Sequence, residues 1–208
     1  MNPINYRPSR AEEFIGPAKD LALVLGRIAA RSVRSGEAVK LLIRGGPGIG
    51  KSALLDPFLE QLGGTKWSVT KLNGTQLKVE TIDEWARGLC FRELLGAFRV
   101  LRVEEVDKCS PAAQVRMLTV LDDLPDHAAI VCTSNKEVQD FEPRFQSRFQ
   151  VFSLQPPAAE EIKWLLRKFG VRKDDINRIA QFCCGNVRLA LFDAQSALDE
   201  LAAMKGLN

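Results

Sequence analysis

The stretch "LLIRGGPGIGKSALL", residues 41–55, decides the fold. An apolar run stops at a glycine, a glycine-rich turn follows, and Lys51 and Ser52 open a second apolar run. The order reads as strand, loop, helix. The loop fits G-x-x-x-x-G-K-S: Gly45 leads, Gly46, Pro47, Gly48 and Ile49 fill the middle, and Gly50, Lys51 and Ser52 close it before Ala53. Glycines let the backbone curl until several N–H groups point inward, and the helix that follows adds its positive end. Such a cradle fits the phosphates of a nucleoside triphosphate. Lys51 is placed to reach the β- and γ-phosphates, and the Ser52 hydroxyl to hold Mg²⁺, so ATP and Mg²⁺ are the expected ligands.

Working outward, residues 17–34 carry apolar side chains at helical spacing behind Pro17, a good first-turn residue. Residues 38–45, 66–74, 98–108, 128–135 and 149–157 read as strands. Helical patterns lie between them at 52–63, 81–96 and 110–124, and Pro57 strains the first of these. Alternating strands and helices predict an α/β fold, a P-loop parallel sheet with helices on both faces. After Pro157 the pattern turns wholly helical, at 158–170, 174–183 and 186–205, with Gly170 and Gly185 as breaks. The expected organisation is a nucleotide-binding core over 1–155 and a small all-helical domain over 156–208.

Composition narrows the classes. The chain has 208 residues, 46% hydrophobic, enough for a core plus an appendage. A net charge of +3 makes any nucleic-acid surface a local matter. No apolar run reaches the ~18 residues of a membrane span. The start has no apolar signal region, so a cytoplasmic location is expected, or a nuclear one in a eukaryote. The five cysteines (Cys90, Cys109, Cys132, Cys183 and Cys184) form no C-x-x-C pair, and His127 is the only histidine. Buried, reduced thiols fit this better than a zinc site. Trp67, Trp85 and Trp164 lie in apolar-periodic segments and are expected in the core.

Hydrolysis needs a carboxylate near the metal and a group to orient water. The strand "RVLRV" ends in Glu104 and Glu105, and strand carboxyl ends gather where ligands bind in parallel sheets. Glu104 is assigned to the metal and Glu105 to the attacking water. Asn135, at another strand end, is placed to help position that water; a plain Asn turn reads the same way.

These motifs together resemble an AAA+ ATPase of the clamp-loader group, such as the small subunits of replication factor C, from Tyr6 to about Leu191. The bacterial Holliday-junction branch-migration motor is a more distant relative. "YRPSRAEEFIG" (6–16) is similar to the family's adenine-packing segment, which implies contacts from Tyr6, Arg7, Pro8, Ile15 and Gly16. "GGPGIGKS" looks like its Walker A loop, and "LRVEEVDK" like its Walker B pattern hhhDExD. "AAQ" (112–114) follows as in clamp loaders, and Asn135 of "CTSN" takes the sensor-1 place. In "FQSRF" (145–149) the resemblance makes Arg148 a finger that reaches a neighbour's nucleotide, with Arg144 as runner-up. In "GNVRLAL" (185–191) it makes Arg188 the lid arginine that reaches the γ-phosphate.

The resemblance implies an oligomer of AAA+ subunits with the finger supplied in trans, acting on DNA and a replication or recombination protein. Protein remodelling without DNA, and a nucleotide-controlled adaptor with little turnover, are the alternatives. Two departures bear on these readings. Glu104 stands where the family has Asp, which lengthens the metal-facing side chain and points to slow turnover. The chain also stops after the lid, where a clamp-loader subunit continues into a collar domain. Arg27, Arg31 and Arg34 share one helix face, open to a DNA backbone or simply to water.

Overall fold

The computed structural model describes residues 2–91, 98–136 and 143–206. Among these residues a five-stranded, all-parallel sheet forms the centre, in the order β2-β3-β4-β1-β5. Its strands are β1 (Val39–Arg44), β2 (Val69–Asn73), β3 (Arg99–Glu104), β4 (Ala128–Ser134) and β5 (Gln150–Ser153). Period-two alternation divides the sheet's side chains between two layers. Val39, Leu41, Ile43, Val100, Ala129 and Val131 face α1 (Gly16–Ser35) and α2 (Lys51–Gln61). Leu42, Leu101, Val103, Ala128, Ile130 and Cys132 face α3 (Val79–Gly88), α4 (Pro111–Asp122) and α5 (Pro143–Gln146). Strand β4 is buried at all seven positions, as a central parallel strand with both faces covered must be.

The helix starts follow local chemistry. Pro occupies the first turn of α1 and α4, where its missing N–H is no loss. The Ser110 hydroxyl caps α4 by accepting from Ala113 N. Pro57 remains inside α2. It cannot donate to the Ala53 carbonyl, and its ring is buried. The predicted helix over 81–96 ends at Gly88 among the described residues, and 92–96 lie outside them.

Helices α6 (Ala159–Arg167), α7 (Lys173–Phe182) and α8 (Val187–Gly206) enclose a third apolar cluster, centred on Ile162, Leu165, Leu166, Ile179 and Ala190. Ile15 belongs to this cluster and Tyr6 packs against it, so the N-terminal segment runs between core and bundle. The Tyr6 ring meets Phe169 edge-on, with centroids 5.5 Å apart.

Two expectations from composition need correction. Only Trp85 of the three tryptophans is buried; Trp67 is 74% and Trp164 45% exposed. Trp67 stands in the turn before β2 under the Lys66 ammonium, and Lys168 lies 3.6 Å from the Trp164 ring on the outer face of α6. Each indole thus covers its apolar face with a lysine instead of the core. Cys109, Cys132 and Cys183 are buried, but Cys90 and Cys184 are exposed; all five are free thiols.

Candidate nucleotide site

The carboxyl ends of β1, β3 and β4 open onto a cavity of about 670 Å³ between the sheet and the helical bundle. Its lining includes Pro47 to Ala53, Tyr6, Arg7, Pro8 and Ile15 from the N-terminal segment, and Val187, Arg188, Leu191 and Phe192 from α8. Glu104, Glu105, Thr133 and Asn135 line its floor.

The loop begins where β1 stops. Lys51, 7% exposed, donates to the Gly45 carbonyl at 2.7 Å, the Gly46 carbonyl at 2.6 Å and Asn135 Oδ1 at 2.7 Å. All three acceptors are neutral. Burial pushes the ammonium below its usual value, against the pull of Asp107 and Glu105. Gly45 and Gly46 therefore shape the site through their carbonyls and lie outside the cavity lining.

The bundle docks directly on this loop. The Arg188 backbone N–H donates to the Gly48 carbonyl at 3.1 Å. Gly48 has φ +74°, and a Cβ there would lie 2.0 Å from Asn186 Oδ1. Asn186 precedes α8, and its side chain accepts from Leu189 N at 3.0 Å, as an N-cap does. So the absence of a side chain at Gly48 lets the first turn of α8 reach the loop.

The two acids separate in role. Ser52 Oγ donates to Glu104 Oε2 at 2.7 Å. Glu104 Oε1 accepts from Arg102 at 2.7 Å and pairs with Lys71 Nζ at 3.0 Å. Burial pushes this carboxyl up, but the bonds from Ser52 and Lys71 and the Arg102 charge outweigh it and hold it below the usual range. Glu105 sits at φ 54°, ψ 50°, left-handed for a non-glycine residue. That turn is held by the bond from Glu105 N to Thr133 Oγ1 at 3.1 Å, and by Gly74, where a Cβ would lie 2.0 Å from the Glu105 carbonyl oxygen. Lys108 donates to Glu105 Oε2 at 2.6 Å, and Asn135 Nδ2 to Oε1 at 3.3 Å. Lys108 first, then Asn73, keep the Glu105 carboxyl below its ordinary value. Asn135 thus bridges Lys51 and Glu105, and its own N–H is fixed on Asp107 at 3.0 Å.

The hydroxyl of Ser52 and the carboxylate of Glu104 are hard oxygen donors of the type Mg²⁺ prefers. On ligand chemistry they fit that ion, although both Glu104 oxygens already meet donors of this chain.

Besides Gly45 and Gly46, two further predicted site residues lie outside the cavity lining. Gly16 opens α1 beside the Glu161 side chain and is absent from the cavity wall. Arg148 lies next to β5, where its guanidinium grips Asp122 through two bonds, 2.6 and 2.8 Å, and donates to the Arg144 carbonyl at 2.8 Å. Arg102, Lys71 and Asp107 were not read from the sequence. Arg102 carried a signal: a cation in a strand position whose neighbours, Val100, Leu101 and Val103, are all buried and apolar.

Sheet order, loop, strand-end acids and a docked helical bundle define the class: a P-loop fold of the AAA+ type. The RuvB Holliday-junction branch-migration motor of Thermotoga maritima superposes with a TM-score of 0.78 over 96% of this chain and 67% of that one, at 19% identity. Within that class the sequence resembles the clamp-loader group. It is 25% identical over 205 residues to the replication factor C small subunit of Methanocella arvoryzae, covering 92% of this chain and 61% of that protein. It is 26% identical over 212 residues to the replication-associated recombination protein A of Bacillus subtilis, covering 92% and 47%. The chain therefore spans less than two thirds of the length of these curated relatives. No protein-family model matches the sequence. Among the described residues no helix is long and apolar enough to cross a membrane.

Proposed function

We propose that this chain binds and hydrolyses ATP as one subunit of an oligomeric AAA+ loader or motor working on DNA replication or recombination machinery. One observation supports this most: Lys51, the Ser52–Glu104 pair, the Glu105–Asn135 pair and Arg188 all border a single cavity. The relatives' names supply the DNA setting.

Lys51 is held by neutral acceptors that phosphate oxygens can replace at a gain, because a phosphate oxygen adds a full opposite charge to the bond. When Lys51 turns to the phosphates, Asn135 Oδ1 is released, and its amide can orient a water beside Glu105. Glu105, ionised and hydrogen-bonded, is placed to accept that water's proton as it attacks the γ-phosphorus. Ser52 and Glu104 would hold Mg²⁺, which would supply positive charge against the phosphate oxygens. Tyr6, Arg7, Pro8 and Ile15 form the base-facing wall. Arg188 reaches the γ-phosphate from α8, so the presence of that phosphate is felt by the helical bundle. Arg148 lies outside its own chain's cavity and serves a neighbour's, exchanging Asp122 for phosphate.

The paired state of Glu104 favours a second reading, an adaptor that holds nucleotide and hardly turns it over. Phosphate release, measured with and without single- and double-stranded DNA over a range of protein concentrations, separates them. The motor reading expects turnover that rises with concentration and with DNA. No release under any of these conditions would leave the adaptor.

A further inference from the structure

Lys71 and Arg102 stand side by side on neighbouring strands, in register, so their side chains share one face of the sheet. Glu104 lies two residues after Arg102 and shares that face too. The outcome is two cations on one carboxylate oxygen, while the other oxygen takes the Ser52 hydroxyl. Arg102 is 4% exposed, bonds Asp56 and the Ser52 carbonyl as well, and keeps a buried Nε with no hydrogen-bond partner. The Lys71 side chain is 60% exposed and lines the cavity beside the loop. Two cations, offset by Glu104 and Asp56, are thus built into the wall, and the exposed Lys71 ammonium is the one an arriving triphosphate can draw from its partner.

We infer that Lys71 and Arg102 form a resident cation pair that carries part of the charge a divalent ion brings, so that this chain retains nucleoside triphosphate when divalent cations are removed. The inference rests on the nucleotide reading of the site and adds to it. Arg102 is fixed by Asp56, the Ser52 carbonyl and Glu104 and acts as a stationary charge. Lys71 is the mobile member: its flexible stem allows the ammonium to leave Glu104 for a phosphate oxygen. The two roles follow from burial, since a buried guanidinium cannot be re-aimed without breaking three contacts, whereas an exposed ammonium can.

The test is equilibrium binding of a fluorescent ATP analogue, followed by anisotropy, in excess MgCl₂ and in excess EDTA. The readout is the dissociation constant in EDTA divided by that in MgCl₂. Lys71→Ala should raise that ratio about two- to fivefold over wild type, the range open to a partly exposed charge. Lys71→Arg should bring it back. Arg102→Gln, with folding checked by circular dichroism, should move the ratio the same way. If Lys71→Ala weakens binding equally in both buffers, or in neither, the cation pair has no such role. If wild type binds no analogue even in MgCl₂, the nucleotide reading itself fails, and this inference falls with it.

Discussion

Replacing Gly48 by alanine probes the seam between the phosphate loop and the helical bundle. The residue has φ +74°, so alanine carries a left-handed penalty of roughly 1–2 kcal/mol. Its Cβ would lie 2.0 Å from Asn186 Oδ1, 2.5 Å from Cγ and 2.8 Å from Nδ2, so the amide must move away. Moving it breaks the cap on Leu189 N, which costs about 1 kcal/mol. Together Gly48→Ala should destabilise the chain by about 2–3 kcal/mol in urea unfolding without nucleotide. Asn186→Ala alone should cost about 1 kcal/mol. In the double variant the clash and the cap are already gone, so adding Gly48→Ala should cost only the φ term. The two effects therefore fall short of additivity by about 1 kcal/mol. Gly46→Ala is the control: it has no positive φ and nothing within 4 Å of an added Cβ, so its effect should stay within about 0.5 kcal/mol. Strict additivity of the two substitutions would refute the contact, and with it the docking of α8 on the loop.

Two further substitutions test the chemistry. Glu105→Gln should bind ATP as wild type does and lose about 10²- to 10⁴-fold in phosphate release, since an amide cannot take a proton from water; near-normal release would remove Glu105 from that role. Arg148→Ala should also bind ATP normally and turn it over about 10³- to 10⁵-fold more slowly. Mixing it with Lys51→Ala should restore part of the rate, because the second chain can lend its arginine to an intact pocket, and failure of the mixture to recover would mean that the site is not shared.

Much of this arrangement was legible in the sequence because it rests on local rules. The loop glycines and the short apolar runs of β1 and β4 are each set by neighbours in the chain. The helical character after Pro157 is equally local. What escaped depends on partners far apart in sequence. The hydrophobic stop at Arg102 is explained only once α2 brings Asp56 and Ser52 over β3. The left-handed turn at Glu105 is fixed by Thr133 and by the close approach of Gly74, neither visible as a pattern. Trp67 and Trp164 were misplaced because helical and strand periodicity says nothing of a lysine that shields an indole at the surface. The strand-end position of Asn135 is plain in the sequence, but its link to Lys51, 84 residues away, is made only by the fold.

On the reading proposed above, the cavity between the sheet and the helical bundle holds a nucleoside triphosphate organised by Lys51. Calorimetric titration of ATP into wild type and Lys51→Ala, in the presence of MgCl₂, tests it most directly. Wild type should show one saturable site per chain, and the variant at least about 30-fold weaker binding, the loss expected when one member of a buried charge pair is removed. Equal affinity in the two proteins, or no heat of binding in either, would contradict it.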